Sequence, residues 1–170
     1  ARVGASSGNV AWFGHARALL FRPDCTPMHK PSVLFVCTHN SARSQLAEGL
    51  LREFHGDRYE ARSAGTEETR VKPEAAAALK ELGIDTFPLV SKTLAHFDGD
   101  PADYVITVCD DAKEACPWVA AKVKVVHRPF RDPSAVTESA EARLTAFRGA
   151  RDEIRAWLDS VFGEIPPRLG

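Results

Sequence analysis

The stretch VLFVCTHNSARSQLAEGLL runs from Val33 to Leu51. Val33–Val36 is a short unbroken apolar run, the pattern of a buried parallel strand. Further on, Leu46, Leu50, Leu51 and Phe54 recur at three- and four-residue spacing, which predicts one apolar stripe on a helix. Gly56 and Asp57 end that helix, and Ser44 reads as its cap. Between strand and helix sits a C-x5-R loop, with Cys37 at its start and Arg43 at its end. A loop leading from a strand into a helix N-terminus aims backbone N–H groups at one centre, and that centre favours an anion. Arg43 adds a planar fork for two oxygens. The same field favours the thiolate of Cys37 over its thiol. Thr38, His39, Asn40, Ser41, Ala42, Arg43 and Ser44 are therefore expected to line an oxyanion site. All of the loop residues before Arg43 except His39 are small or short, so the loop can curl around a tetrahedral ligand. Asn40 and Ser44 are the expected braces, and Ser44 is also placed to hydrogen-bond the sulfur. An inert core thiol beside a solvated arginine is the plain alternative.

Outward from this loop, strand and helix patterns alternate. Tyr59–Ala64 alternates in polarity and is closed by Gly65. Pro73 suits a first helical turn, and the EAAAALKEL run after it is rich in helix formers up to Gly83. Residues 84–101 read as loop or short elements. Tyr104–Val108 and Val123–His127 read as strands, and Ser139–Phe162 as a long helix with Leu144, Phe147, Ile154, Trp157, Leu158 and Val161 on its apolar face. The tail EIPPRLG is expected to fray. Strands near 34, 61, 105 and 125 separated by helices predict an α/β sandwich with a four-stranded parallel sheet. Sites in such sheets form beyond the carboxyl ends of the strands. Cys37, Cys109 and Asp132 each follow a strand, so all three fall on one rim.

The 170 residues predict a single domain with a real core. With 44% apolar and 26% charged residues the composition is that of a globular protein. A net charge of −1 offers no global field for nucleic acid. No apolar run approaches the ~20 residues of a membrane helix, so no membrane partner is expected. Residues 1–27 show neither strand alternation nor a capped helix. They read as a tag or N-terminal extension, poorly ordered, before a domain at 28–165 and a tail at 166–170. Met28 reads as a natural start, and Cys25 is assigned no role. A cytoplasmic monomer is the expected state.

Cysteines stand at 25, 37, 109 and 116. A chain with an adequate core does not need disulfide staples, so thiols used for chemistry are the better reading. Cys109 and Cys116 are seven residues apart in CDDAKEACP. In a helix their Cα atoms would lie about 10.5 Å apart, whereas a disulfide needs about 4.4–6.8 Å. Bonding the pair would require the segment to uncoil, which its charged DDAKE run and Pro117 allow. No His or further Cys follows at zinc-ligand spacing. Two thiols near a nucleophile suggest a redox relay.

The run CTHNSARSQ followed by LAEG resembles the active-site loop of the low-molecular-weight tyrosine phosphatase fold. With Cys109 and Cys116 before Pro117, SAGTE at 63–67, HRPFRDPS at 127–134 and RDEIRAWL at 151–158, the chain is similar to the thioredoxin-coupled arsenate reductases of that fold. The likeness covers about residues 31–162. It implies a three-layer sandwich and a reduction of arsenate to arsenite, with Cys37 as nucleophile, Arg43 as clamp and Asp132 as general acid. It implies a disulfide passed from Cys37–Cys109 to Cys109–Cys116 and reduced by thioredoxin, with no tightly bound cofactor. The competing activity is that of a phosphatase, although Asp132-Pro133 is followed by SAVTE rather than by the tyrosine-rich segment usual in phosphatases. His39 and Ala42 depart from the family pattern. Some members bind potassium near the loop. Asn40, Glu48 and Ser63 match three of those positions, and Thr93 stands where the family has aspartate.

Overall fold

The structure, a computed structural model, describes residues 29–67, 69–108 and 119–170. Cys25, Met28, Cys109 and Cys116 lie outside the described residues. The core element is β1 (Ser32–Cys37), buried along its whole length. It is central because SVLFVC carries apolar residues on both faces, as a strand covered on both sides requires. β2 (Glu60–Gly65), β3 (Tyr104–Thr107) and β4 (Lys124–His127) complete a parallel sheet in the order β2-β1-β3-β4. All four strands expected from the sequence are present. β4 stands at an edge, and its neighbour Val123 and its own Val125 are exposed, unlike the buried β3.

The register places the site. Cys37 pairs with Gly65 on one side, and Val36 pairs with Thr107 on the other. Val108 then donates its N–H to the Val36 carbonyl at 2.8 Å. The chain therefore leaves β3 level with Cys37, on the carboxyl rim of the sheet.

Helix α1 (Arg43–His55) packs on β1 and β2 and meets α2 (Pro73–Lys80) and α3 (Ala140–Val161). α2 starts with Pro73 at its first position and contributes Ala75, Ala78 and Leu79 to the core. The turn after it passes through Gly83 at φ +77°, a conformation that glycine adopts without a Cβ penalty. α3 is capped by the Ser139 hydroxyl, which accepts from the Ala142 N–H at 3.0 Å.

Two expectations are corrected. Ser44 does not cap α1. The helix begins two residues earlier than that cap would set, after Ala42, with no side-chain cap, and Ser44 is buried inside its first turn. The tail is not frayed. Tyr59 donates its hydroxyl to the Glu164 carbonyl, the Arg168 N–H reaches the Val161 carbonyl at 2.9 Å, and Lys124 Nζ donates to the carbonyls of Leu169 and Gly170. A proline-rich tail has few N–H groups of its own to spend, and here its carbonyls find side-chain donors. No helix among the described residues is long and apolar enough to cross a membrane.

Candidate active site

Cys37 ends β1 and is 5% exposed. Its Sγ lies 2.9 Å from Ser44 Oγ and accepts the Asn40 N–H at 3.1 Å. Both contacts favour a sulfur that carries negative charge, because donors stabilise the charged form. This is the local reason for Ser44: its hydroxyl is turned to sulfur rather than to a backbone N–H of its own helix. The first-turn N–H groups of α1 have no intrahelical partner.

Asn40 holds the loop in shape at φ +44°, in the left-handed region that Asn tolerates better than most residues. Its Nδ2 donates to Ser44 Oγ and to Ser63 Oγ, each at 2.8 Å. Its Oδ1 accepts from the Lys92 N–H at 2.7 Å. The loop carbonyls are spent on the segment that follows β2. Thr38 O accepts from the Glu67 N–H at 2.9 Å, His39 O from Thr69 Oγ1 at 2.6 Å, and Ser41 O from the Lys72 N–H at 2.9 Å. The C=O and N–H of one planar peptide unit point opposite ways. The N–H groups of His39, Asn40 and Ala42 therefore turn to the other side, and that of Asn40 meets the sulfur. Gly65 makes this close approach possible. A Cβ there would stand 2.7 Å from Thr38 O and 2.8 Å from Asn40 N, inside contact distance.

Arg43 opens α1 with its side chain 14% exposed. Nη1 donates to the Phe130 carbonyl at 3.1 Å, and Nη2 lies 3.7 Å from Asp132 Oδ2. Asp132 starts a short 3-10 turn and accepts from the Ser134 N–H at 2.9 Å, which fixes its carboxylate while leaving it 44% exposed. The structure thus brings Cys37, Arg43 and Asp132 to one cavity of about 420 Å³. That cavity is also lined by His39, Arg70 and Lys72. Arg70 and Lys72 were not singled out from the sequence. Their signal is two basic residues in TRVKP directly before Pro73, and nothing in that pattern says which way they face. His39, the bulky member of the loop, turns its ring outward to Glu67 at 3.5 Å. A histidine fits because its side chain leaves the cradle.

The potassium set is brought together but does not fit a potassium ion. Asn40 presents its amide nitrogen, a donor, to Ser63, and Ser63 donates to Glu48. The buried Glu48 carboxylate already faces the ammonium of Lys92 at 3.4 Å and Arg52 Nη1 at 3.5 Å. Thr93 is used in a bridge to Gly65. A cation site needs converging oxygens, and here a lysine supplies the positive charge. No group of three or more His, Cys, Asp or Glu able to hold a metal occurs among the described residues.

Comparison with known proteins agrees with this geometry. The family model for low molecular weight phosphotyrosine protein phosphatase matches residues 32–161. An arsenate reductase from Shouchella clausii (strain KSM-K16) is 42% identical over 130 residues, covering 76% of this chain and 93% of the relative. A solved arsenate reductase in the phosphate binding state superposes with a TM-score of 0.64 at 28% identity, over 79% of this chain and 98% of that one. A thioredoxin-dependent arsenate reductase from Corynebacterium glutamicum gives a TM-score of 0.58 at 27% identity, over 78% of this chain and 62% of the other. A C-x5-R cradle closing on a buried thiol, the parallel sheet that carries it, and these relatives agree: the chain belongs to the low molecular weight phosphotyrosine protein phosphatase family.

Proposed function

We propose that the protein reduces arsenate to arsenite with electrons from thioredoxin. The observation that carries this reading is the lining of the Cys37 cavity. It presents Cys37 with three basic side chains, Arg43, Arg70 and Lys72, and no Phe, Tyr or Trp among the described lining residues. Three cations around one thiol suit a small, strongly charged oxyanion, while Val71 and Pro73 are the only larger apolar walls described for an ester's organic group. Relatives called arsenate reductases support the choice of anion.

In this reading Arg43 leaves the Phe130 carbonyl and clamps two oxygens of arsenate, and the loop N–H groups hold the others. The Cys37 thiolate displaces one oxygen, which departs as water after Asp132 supplies a proton, leaving a sulfur–arsenic(V) bond. The Cys109 thiolate attacks Cys37 Sγ. A Cys37–Cys109 disulfide forms, and the electron pair of the broken sulfur–arsenic bond stays on arsenic, which leaves as arsenite. The Cys116 thiolate attacks Cys109, restores the Cys37 thiolate and forms the Cys109–Cys116 disulfide. The thioredoxin dithiol reduces that disulfide through a mixed disulfide. Cys109 and Cys116 fall outside the described residues. The last described residue before them is Val108, whose N–H is bonded to the carbonyl of Val36, the residue before Cys37.

The alternative is hydrolysis of a phosphate ester, for which Cys37, Arg43 and Asp132 alone suffice. The two readings separate in one assay with arsenate, thioredoxin, thioredoxin reductase and NADPH. The expected outcome is arsenate-dependent NADPH oxidation that Cys109→Ser abolishes, while slow aryl-phosphate hydrolysis survives in that variant. Oxidation unaffected by Cys109→Ser would sink the relay. Efficient ester hydrolysis without any arsenate-dependent oxidation would favour the phosphatase.

A further inference from the structure

Gln45 is fully buried in the first turn of α1 and has a configuration that a space-filling residue would not need. Its Nε2 donates toward three carbonyl oxygens: the Asn40 backbone O at 3.1 Å, Asn40 Oδ1 at 2.9 Å and the Val90 backbone O at 2.9 Å. Its own Oε1 is buried without a hydrogen-bond partner among the described residues. A buried acceptor with no donor costs stability, so the side chain is held there for its donors and not for its oxygen. The amide also cannot be turned over, because Oε1 would then face three acceptors.

Two of the three contacts end on Asn40. Asn40 is the loop residue in the left-handed region, its N–H meets Cys37 Sγ, and its Nδ2 meets Ser44 Oγ, which itself lies on the sulfur. Gripping Asn40 by both its backbone and its side-chain oxygen fixes the peptide and the amide together. We propose that Gln45 is a positioning residue: it clamps Asn40 in the left-handed conformation that aims the Asn40 N–H and the Ser44 hydroxyl at the Cys37 sulfur, and its third bond ties that clamp to the Val90 segment. Gln45 touches neither substrate nor sulfur and acts through Asn40. The inference rests on Cys37 being the nucleophile, but not on the identity of the oxyanion.

The test reads the sulfur directly. Alkylation of Cys37 by iodoacetamide is followed against pH by peptide mass spectrometry, which separates Cys37 from the other three cysteines. Gln45→Met keeps length and removes the donors. Gln45→Glu keeps shape and sets carboxylate oxygens against the two Asn40 acceptors. For Gln45→Met the alkylation profile should shift to higher pH, with a rate near neutrality lower by on the order of tenfold, the scale of one hydrogen bond to a charged group. Its thermal midpoint should fall modestly, because the Asn40 carbonyl loses its donor. Gln45→Glu should shift the profile further. An unchanged profile in either folded variant overturns the proposal and leaves Gln45 a core residue. If the profile shifts but the wild type shows no arsenate-dependent turnover, the functional reading fails and the clamp stands.

Discussion

Arg70 and Lys72 line the Cys37 cavity from a segment tied to the loop by the Thr69 hydroxyl on His39 O and by the Lys72 N–H on Ser41 O. The segment that carries their charges is therefore tied to the anion site. Cations in a concave site raise local anion concentration, an effect that salt weakens. A protein with Arg70→Ala and Lys72→Ala should show a KM for arsenate raised by about tenfold, with kcat little changed and with less sensitivity to added salt. Steady-state kinetics at two ionic strengths check this. An equal fall in kcat would place the two residues in the chemistry instead. At this scale the motif residues were legible, because Cys37, Arg43, Asn40 and Asp132 announce themselves by type and spacing. Arg70, Lys72, Lys92 and Gln45 were not legible. Each acts by where the fold puts it, and a lysine that faces a glutamate 44 positions away in the chain leaves no local pattern. Ser44 was legible as a residue that matters, but its hydroxyl had two possible uses, and only the path of the loop decides between sulfur and backbone.

Among the elements, β1 and β3 are joined at their starts by one carboxylate. Asp103 Oδ2 accepts from the Ser32 N–H at 2.7 Å and from Ser32 Oγ at 2.9 Å, while the Asp103 N–H donates back to Ser32 Oγ at 3.0 Å. Burial pushes the Asp103 carboxyl up, but the Ser32 N–H, the Ser32 hydroxyl and the charges of Lys122 and His29 outweigh it, and the carboxyl lies below its ordinary value. A depressed folded value means stability that is present above the unfolded value near 4 and is lost as pH falls through the folded one. Asp103→Asn should therefore unfold at lower urea concentration than wild type at pH 7, with the gap narrowing by pH 3. A gap that is constant with pH would show that the staple does not depend on ionisation. The strands and helices themselves were legible, since β1, α1, α2 and α3 each carry an apolar period that packing against the sheet or a neighbour demands. The exposed face of β4 was less so. Its VKVVH pattern reads like any core strand, and only the sheet order shows that it stands at an edge.

Across the whole molecule, a net charge of −1 coexists with a cationic cavity, so the field that matters is local. The C-terminal residues close the far side of the fold over Tyr59, whose ring packs edge-on against Phe162 at 5.1 Å. Burial first, and Tyr104 next, push the Tyr59 phenol up to about 12 against the opposing pull of Arg58, and burial with Asp103 raises Tyr104 as well. A raised phenol favours the neutral folded state. Its contribution is complete below the unfolded value near 10 and fades as pH climbs toward the folded value. Phenolate absorbance should therefore stay low past pH 10 and then rise together with loss of helical circular dichroism. Ionisation of both tyrosines near pH 10 in a still-folded protein would contradict this packing.

The carbonyl that Arg43 holds belongs to Phe130, and the Phe130 ring lies edge-on to Trp157 at 5.9 Å. In optical terms this is an internal probe: an indole sits one ring away from the backbone group that the guanidinium holds. Inorganic phosphate or arsenate should change the emission of Trp157, and Arg43→Met should abolish the change. With Trp12 and Trp118 replaced by Phe, that signal would report occupancy of the Cys37 cradle without a label and without turnover.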